Sequence, residues 1–259
     1  MQQIELELEG GGVLTVSLRA SLDAMPAVKE RPLVLVVPGG GYDHVSPREG
    51  DPVALQFAAA GYHTAVLTYS VGEGAQNYRP LRQLNEALAL LRQNAGEWHI
   101  LPDKMAVCGF SAGGHLALSA AVLNIPGETA QQRPNAVILG YPVVTAGEFA
   151  HRGSFVRLAG SEDAAAQQAF TLEDKVTSDT PPVFVWHTME DKTVPVENTL
   201  LLLAALRRAG VPCEAHLFEK GAHGTSISTA EVDAADPHRA HWVALCLEWL
   251  GETFGFKLS

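Results

Sequence analysis

Three features of the sequence predict an α/β fold built on a mostly parallel, doubly wound sheet. Apolar runs such as Leu33-Val34-Leu35-Val36-Val37 alternate with helical patterns along most of the chain, as parallel strands covered by helices on both faces require. The stretch Cys108-Gly109-Phe110-Ser111-Ala112-Gly113-Gly114-His115 joins a short apolar strand to an alanine-rich helix. Near the N-terminus, residues 3–9 and 13–18 alternate apolar and polar side chains around Gly10-Gly11-Gly12, which predicts an antiparallel hairpin at one sheet edge.

The remaining elements follow in order. The strand at Leu33–Val37 runs into Pro38-Gly39-Gly40-Gly41-Tyr42, a loop that is either a sharp turn or an anion cradle. A helix is expected from Asp51, with Asp51 as its N-cap, Pro52 in the first turn and Gly61 ending it. His63–Tyr69 returns as a strand, residues 72–78 are loop, and Pro80–Arg92 is an amphipathic helix with Leu84, Ala87, Leu88 and Leu91 on one face. Strands follow at Lys104–Cys108, Ala136–Pro142, Pro181–His187 and Cys213–Phe218, with helices after Ser111, at Glu197–Ala209 closed by Gly210, and at Pro237–Leu250. Residues 142–180 break this rhythm. They read as a small cap-like insertion with short helical pieces at Ser161-Glu162-Asp163 and near Thr171–Asp174.

The 259 residues suit one large domain over 1–259, and 47% hydrophobic against 18% charged residues supports a sizeable core. A formal net charge of −11 argues against nucleic-acid or anionic-membrane partners and fits a neutral or weakly charged small-molecule substrate better. Three cysteines without a close pair are expected as buried reduced thiols. The N-terminus lacks a targeting pattern and no run reaches membrane-spanning length, so the cytoplasm is the expected location. The oligomeric state is left open, a homodimer included.

The Gly-x-Ser-x-Gly turn holds a nucleophile in strained backbone geometry at the start of a helix, whose free N–H groups and positive dipole end aim at the same spot. A serine hydroxyl needs a histidine to take its proton and an acid to orient that histidine. In open α/β sheets these belong on loops at the carboxyl ends of strands. Asp191 follows the strand ending at His187, and His223 follows the strand ending at Phe218. Glu190 adjoins Asp191 and is the rival acid. Taken singly, Ser111 reads as a helix cap, Asp191 as a turn residue, His223 as a solvated loop histidine and Gly39–Gly41 as a tight turn. Taken together they read as a catalytic triad. His115, four residues after Ser111, reads as packing or a local hydrogen bond. His238 and His241 lack an accompanying acidic cluster, so neither a metal nor a cofactor is expected.

Gly-Phe-Ser-Ala-Gly-Gly-His at 109–115, Asp-x-x-Val-Pro at 191–195 and Gly-Ala-His-Gly at 221–224, in the order serine, acid, histidine, resemble the esterase/lipase branch of the α/β-hydrolases, and within it the small acetyl-esterase and acetylxylan-esterase group. The resemblance spans residues 30 to 250. It implies a serine carboxylesterase with Ser111, Asp191 and His223 as the triad. It also implies an oxyanion hole formed by the backbone N–H groups of Gly40, Gly41 and Ala112, with Pro38 where many relatives have histidine. Loss of one such donor typically costs about 3–4 kcal/mol of transition-state stabilisation. Tyr42 and Tyr78 are candidate substrate-binding residues at the site's mouth. Tyr69 and Trp186 are further candidates, with a place in the core as the alternative. The short insertion, with its apolar residues scattered among charged ones, implies a shallow acyl site for short, acetyl-like chains, while the aromatic candidates, with the resemblance pointing the same way, suit a sugar-like alcohol such as that of an acetylated oligosaccharide. A prolyl-oligopeptidase-type peptidase shares the triad order, but the 259 residues leave no room for its propeller. A non-catalytic relative is the remaining alternative.

Overall fold

The computed structural model describes residues 1–20, 27–128 and 131–258. β1 (Gln2–Leu8) and β2 (Gly12–Leu18) form the expected antiparallel hairpin. β3 (Arg31–Val37), α1 (Asp51–Ala59), β4 (His63–Thr68), α2 (Arg79–Gln93) and the single turn α3 (Ala95–Trp98) lead to β5 (Ile100–Phe110). After α4 (Ala112–Val122) and β6 (Ala136–Gly140), the insertion carries α5 (Arg152–Ala159) and α6 (Ala164–Gln168). β7 (Val183–Thr188), α7 (Glu197–Ala209), β8 (Cys213–Phe218) and α8 (Pro237–Phe254) complete the order.

The strands form one eight-stranded sheet in the order β1-β2-β4-β3-β5-β6-β7-β8. Only β2 runs against its neighbours, and β4 through β8 pair in parallel. The period of two along a strand splits the core. Leu33, Leu35 and Val37 pack with Leu84 and Leu88 of α2, Leu116 of α4 and Leu202 of α7. Val34 and Val36 pack on the opposite face with Phe57 of α1 and Trp242 and Leu250 of α8. Full burial of each such side chain contributes about 1.5–3 kcal/mol. The order reverses at β3, whose two neighbours are β4 and β5. This opens a crevice at the carboxyl ends of β3 and β5, where ligands of open α/β sheets bind.

Several local expectations are corrected. The N-cap of α1 is Gly50, and Asp51 is the first helical residue, an acid at the positive end of the helix dipole rather than a side-chain cap. α5 was not expected, and α8 runs a turn beyond Leu250. Asp163 does cap α6, its carboxylate accepting the Ala166 N–H, whereas the piece near Thr171 is only a 3₁₀ turn at Glu173–Lys175. Cys108 and Cys246 are buried thiols, but Cys213 is exposed because it opens the edge strand β8. Among the described residues, no helix is long and apolar enough to cross a membrane.

Candidate active site

Ser111 stands between β5 and α4 with φ 53° and ψ −120°, a strained conformation for a residue with a side chain. The glycines on either side make that turn sterically possible. A Cβ on Gly109 would collide with the Gly113 carbonyl, and one on Gly113 with the carbonyls of Val37 and Pro38. The helix therefore starts flush against the ends of β3 and β5.

His223 reaches Ser111 from the loop after β8. Its Nε2 accepts the Ser111 Oγ–H at 2.8 Å, and its Nδ1–H donates to Asp191 Oδ2 at 2.6 Å. Asp191 is held on both oxygens. Oδ1 accepts the N–H groups of Thr193 and Val194 at 2.9 and 3.0 Å, and the buried His187 Nε2 lies 3.3 Å from Oδ2. Burial by itself would raise the Asp191 carboxyl; the hydrogen bonds from His187, His223 and the Val194 amide outweigh it and hold the group well below the usual carboxylate range. Geometry separates the rival acids. Glu190 turns away and accepts the Gly221 N–H at 3.2 Å, leaving Asp191 as the partner of His223.

The loop after β3 folds back on itself, with the Gly40 carbonyl accepting from Asp43 and His44 and the Gly39 carbonyl accepting from Ser46. Gly40 has φ +120°, and a Cβ there would run into the His44 carbonyl. The Gly39 N–H is taken by Glu49 Oε2 at 2.8 Å. Among the described residues, the N–H groups of Gly40, Gly41 and Ala112 donate to no other group. Gly40 and Gly41 line the same cavity of about 410 Å³ as Ser111 and His223. Its wall also carries the polar side chains of Asp43, His44, Arg48 and Thr193, and of His151 and Arg157 from the insertion. The Arg157 guanidinium bonds Asp43 Oδ1 at 2.7 Å across the mouth. His151, bonded to Ser154 Oγ at 2.8 Å, is shifted below the ordinary histidine value first by burial and then by its neighbours His223 and Arg157, with Asp191 opposing them.

The aromatic mouth expected from the sequence is absent. Tyr42 is 1% exposed and donates its hydroxyl to His115 Nδ1 at 2.9 Å, while His115 Nε2–H donates to the Phe170 carbonyl. His115 is thus the packing residue expected of it, and Tyr42 is its buried partner rather than a substrate contact. Tyr78 packs on Phe170, with ring centroids 5.1 Å apart, and does not border the cavity. Tyr69 and Trp186 are core residues, the Tyr69 hydroxyl bonding the Pro38 carbonyl. Sequence reasoning missed Glu49, Tyr141, His151 and His187. Their available signal was position, a polar residue at or just past a strand end or beside a glycine loop, which does not distinguish them from ordinary turn residues.

The BD-FAE family model matches residues 23–143, from before β3 to the end of the β6 strand and its following turn. The crystal structure of an acetyl ester-xyloside bifunctional hydrolase from Caldicellulosiruptor lactoaceticus superposes with a TM-score of 0.85 at 35% identity, over 96% of this chain and 90% of that one. MGS-M1, an α/β-hydrolase enzyme from a Medee basin deep-sea metagenome library, superposes with a TM-score of 0.84 at 36% identity, over 98% of each chain. The chain belongs to the esterase branch of the α/β-hydrolases. Endo-1,4-beta-xylanase B of Butyrivibrio fibrisolvens is 35% identical over 213 residues, 78% of this chain but only 34% of that protein. The chain thus spans about a third of that curated relative. The arrangement sets a hydroxyl, an imidazole with an oriented tautomer and unpaired amides side by side, groups with which acyl transfer can be carried out.

Proposed function

We propose that the protein is a serine carboxylesterase that hydrolyses short-chain acyl esters of polar alcohols. The observation that carries this reading is the continuous hydrogen-bonded series Ser111–His223–Asp191, at 2.8 and 2.6 Å, opening onto the free amides of Gly40 and Gly41. In the first half-reaction His223 Nε2 takes the Ser111 proton as Oγ attacks the ester carbonyl. The carbonyl oxygen becomes an oxyanion held by the amides of Gly40, Gly41 and Ala112, where loss of one donor costs about 3–4 kcal/mol of transition-state stabilisation. The Nε2–H then protonates the departing alcohol oxygen, leaving an acyl-Ser111 ester. Water loses its proton to His223 as it attacks the acyl carbon. Collapse of the second tetrahedral adduct releases the carboxylic acid and returns the proton to Ser111 Oγ. Asp191 fixes the Nδ1–H tautomer and stabilises the imidazolium formed in each half-reaction.

The alcohol must leave within reach of His223 Nε2, so it leaves through the cavity shared by Thr193, His151, Arg157 and Asp43. Hydrogen-bonding side chains there favour a hydroxylated alcohol over an apolar one. The likeness to the acetyl ester-xyloside bifunctional hydrolase from C. lactoaceticus supports an acetylated sugar or xylo-oligosaccharide as the natural ester. p-Nitrophenyl acetate turnover by the wild type and by Ser111→Ala tests the mechanism. The variant is expected to lose activity by at least about 10⁴-fold, and equal rates would remove Ser111 from the reaction.

A further inference from the structure

Glu49 lies at the floor of the cavity, 3% exposed, and its two oxygens serve two different parts of the site. Oε2 accepts the Gly39 N–H at 2.8 Å, and Oε1 accepts the Tyr141 hydroxyl at 2.6 Å. Gly39 is wedged in place, since a Cβ there would sit 2.9 Å from the Ser111 Cβ and 2.8 Å from Glu49 Oε2. The next two amides along the loop are those of Gly40 and Gly41.

Tyr141 carries the connection onward. It follows β6 at φ 37°, and its hydroxyl also accepts the Ser226 N–H at 2.9 Å. Ser226 is fixed from two further sides, its carbonyl accepting the Trp242 Nε1–H at 2.9 Å and its Oγ–H donating to the Arg48 carbonyl at 2.6 Å. The Tyr141 ring meets the His223 imidazole edge-on, with centroids 4.8 Å apart and planes at 67°. One buried carboxyl therefore joins the loop with the free amides to the loop with the base, through a phenol that also touches the base's ring. None of these groups can reach the reacting atoms through this hydrogen bonding, because both Glu49 oxygens and the Tyr141 hydroxyl are already engaged.

Resting on the serine-esterase reading above, we propose that Glu49 and Tyr141 are positioning residues that set the oxyanion amides in register with His223. Acyl transfer needs both at once, since the oxyanion forms as the proton moves, and a displacement of about 1 Å in either is enough to cost roughly 100-fold in rate. Separate anchors would let each loop drift independently. A shared anchor converts two placements into one.

Glu49→Gln, Tyr141→Phe and the double variant test this. The first keeps the shape of the carboxyl, and the second keeps the ring against His223. Turnover of p-nitrophenyl acetate is measured per serine titrated with a fluorophosphonate probe, so that unfolded protein does not enter the rate. Each single variant is expected to lower kcat roughly 10- to 100-fold with KM within twofold, and the double variant to fall no further than the worse single one. That non-additivity is what a mere loss of packing would not produce. Variants with kcat within twofold of wild type, losses that multiply in the double variant, or a raised KM at unchanged kcat would each overturn the proposal. A wild type that cleaves no ester would overturn the serine-esterase reading instead.

Discussion

At the scale of single residues, the acid loop shows how two adjacent carboxylates are given different tasks by their donors. Asp191 receives the imidazole N–H of His223 and two backbone amides beside the buried His187, whereas Glu190, exposed, receives one amide. His187 is itself fixed, its Nδ1 accepting from Thr199 and its Nε2–H bonding the Val194 carbonyl at 3.0 Å. Asp191→Asn should therefore lower kcat by about 10³- to 10⁴-fold, because the amide favours the wrong His223 tautomer. Glu190→Gln should stay within about twofold of wild type, since its single exposed hydrogen bond survives in the amide. Steady-state kinetics on the two variants decides the assignment, and the reverse ranking would give the acid to Glu190. Ser111, Asp191 and His223 were legible in the sequence because each sits past the end of a strand that the sequence marks, in the order serine, acid, histidine. Glu49 and Tyr141 were not, because their meaning lies in a contact between positions 92 residues apart.

At the scale of elements, strands buried on both faces wrote themselves plainly as apolar runs, and α7 closes on Gly210 as its sequence indicates. The insertion was harder to read. α5 buries only Ser154, Phe155 and Leu158, too narrow a stripe to stand out among its polar neighbours, although Gly160 in the left-handed region does end it. Tyr42 misled for a related reason: a tyrosine beside a glycine loop reads as a surface ring until the buried His115 supplies its hydroxyl with a partner. The helices of the insertion are eight and five residues long, and α5 and the residue before it bring polar side chains, His151 and Arg157, to the cavity. Neither helix is long enough to bury a fatty chain. Across p-nitrophenyl esters, kcat/KM should thus be greatest at acetyl or propionyl and fall by at least about tenfold at decanoyl. A steady rise from acetyl to decanoyl would show a deep acyl pocket and contradict the short-chain reading.

At the scale of the whole molecule, the two-faced core buries groups whose protonation is tied to folding. His63 is held between the Arg19 N–H and the His99 carbonyl, and His115 between Tyr42 and Phe170. Burial, the largest influence on both, brings each down to about 4 from an ordinary value of 6.5, with backbone carbonyl hydrogen bonds opposing it. Between pH 6.5 and 4 the unfolded chain therefore binds a proton at each site that the native state does not, so stability rises with pH in that window and is lost as pH falls. Full development of the effect is worth about 3 kcal/mol per histidine. Asp191 acts in the same direction at lower pH. Its depressed carboxyl contributes stability that is present above the ordinary aspartate range and lost as pH falls toward its folded value. The thermal midpoint should accordingly be nearly level from pH 8 to 7 and drop by several degrees or more by pH 4.5. His115→Gln retains a polar group for Tyr42 while removing one titrating site, so it should flatten that drop even if it lowers the midpoint at pH 7. Thermal melts of both proteins across pH 4.5–8 provide the measurement, and parallel curves for the two would mean that His115 protonates as readily folded as unfolded.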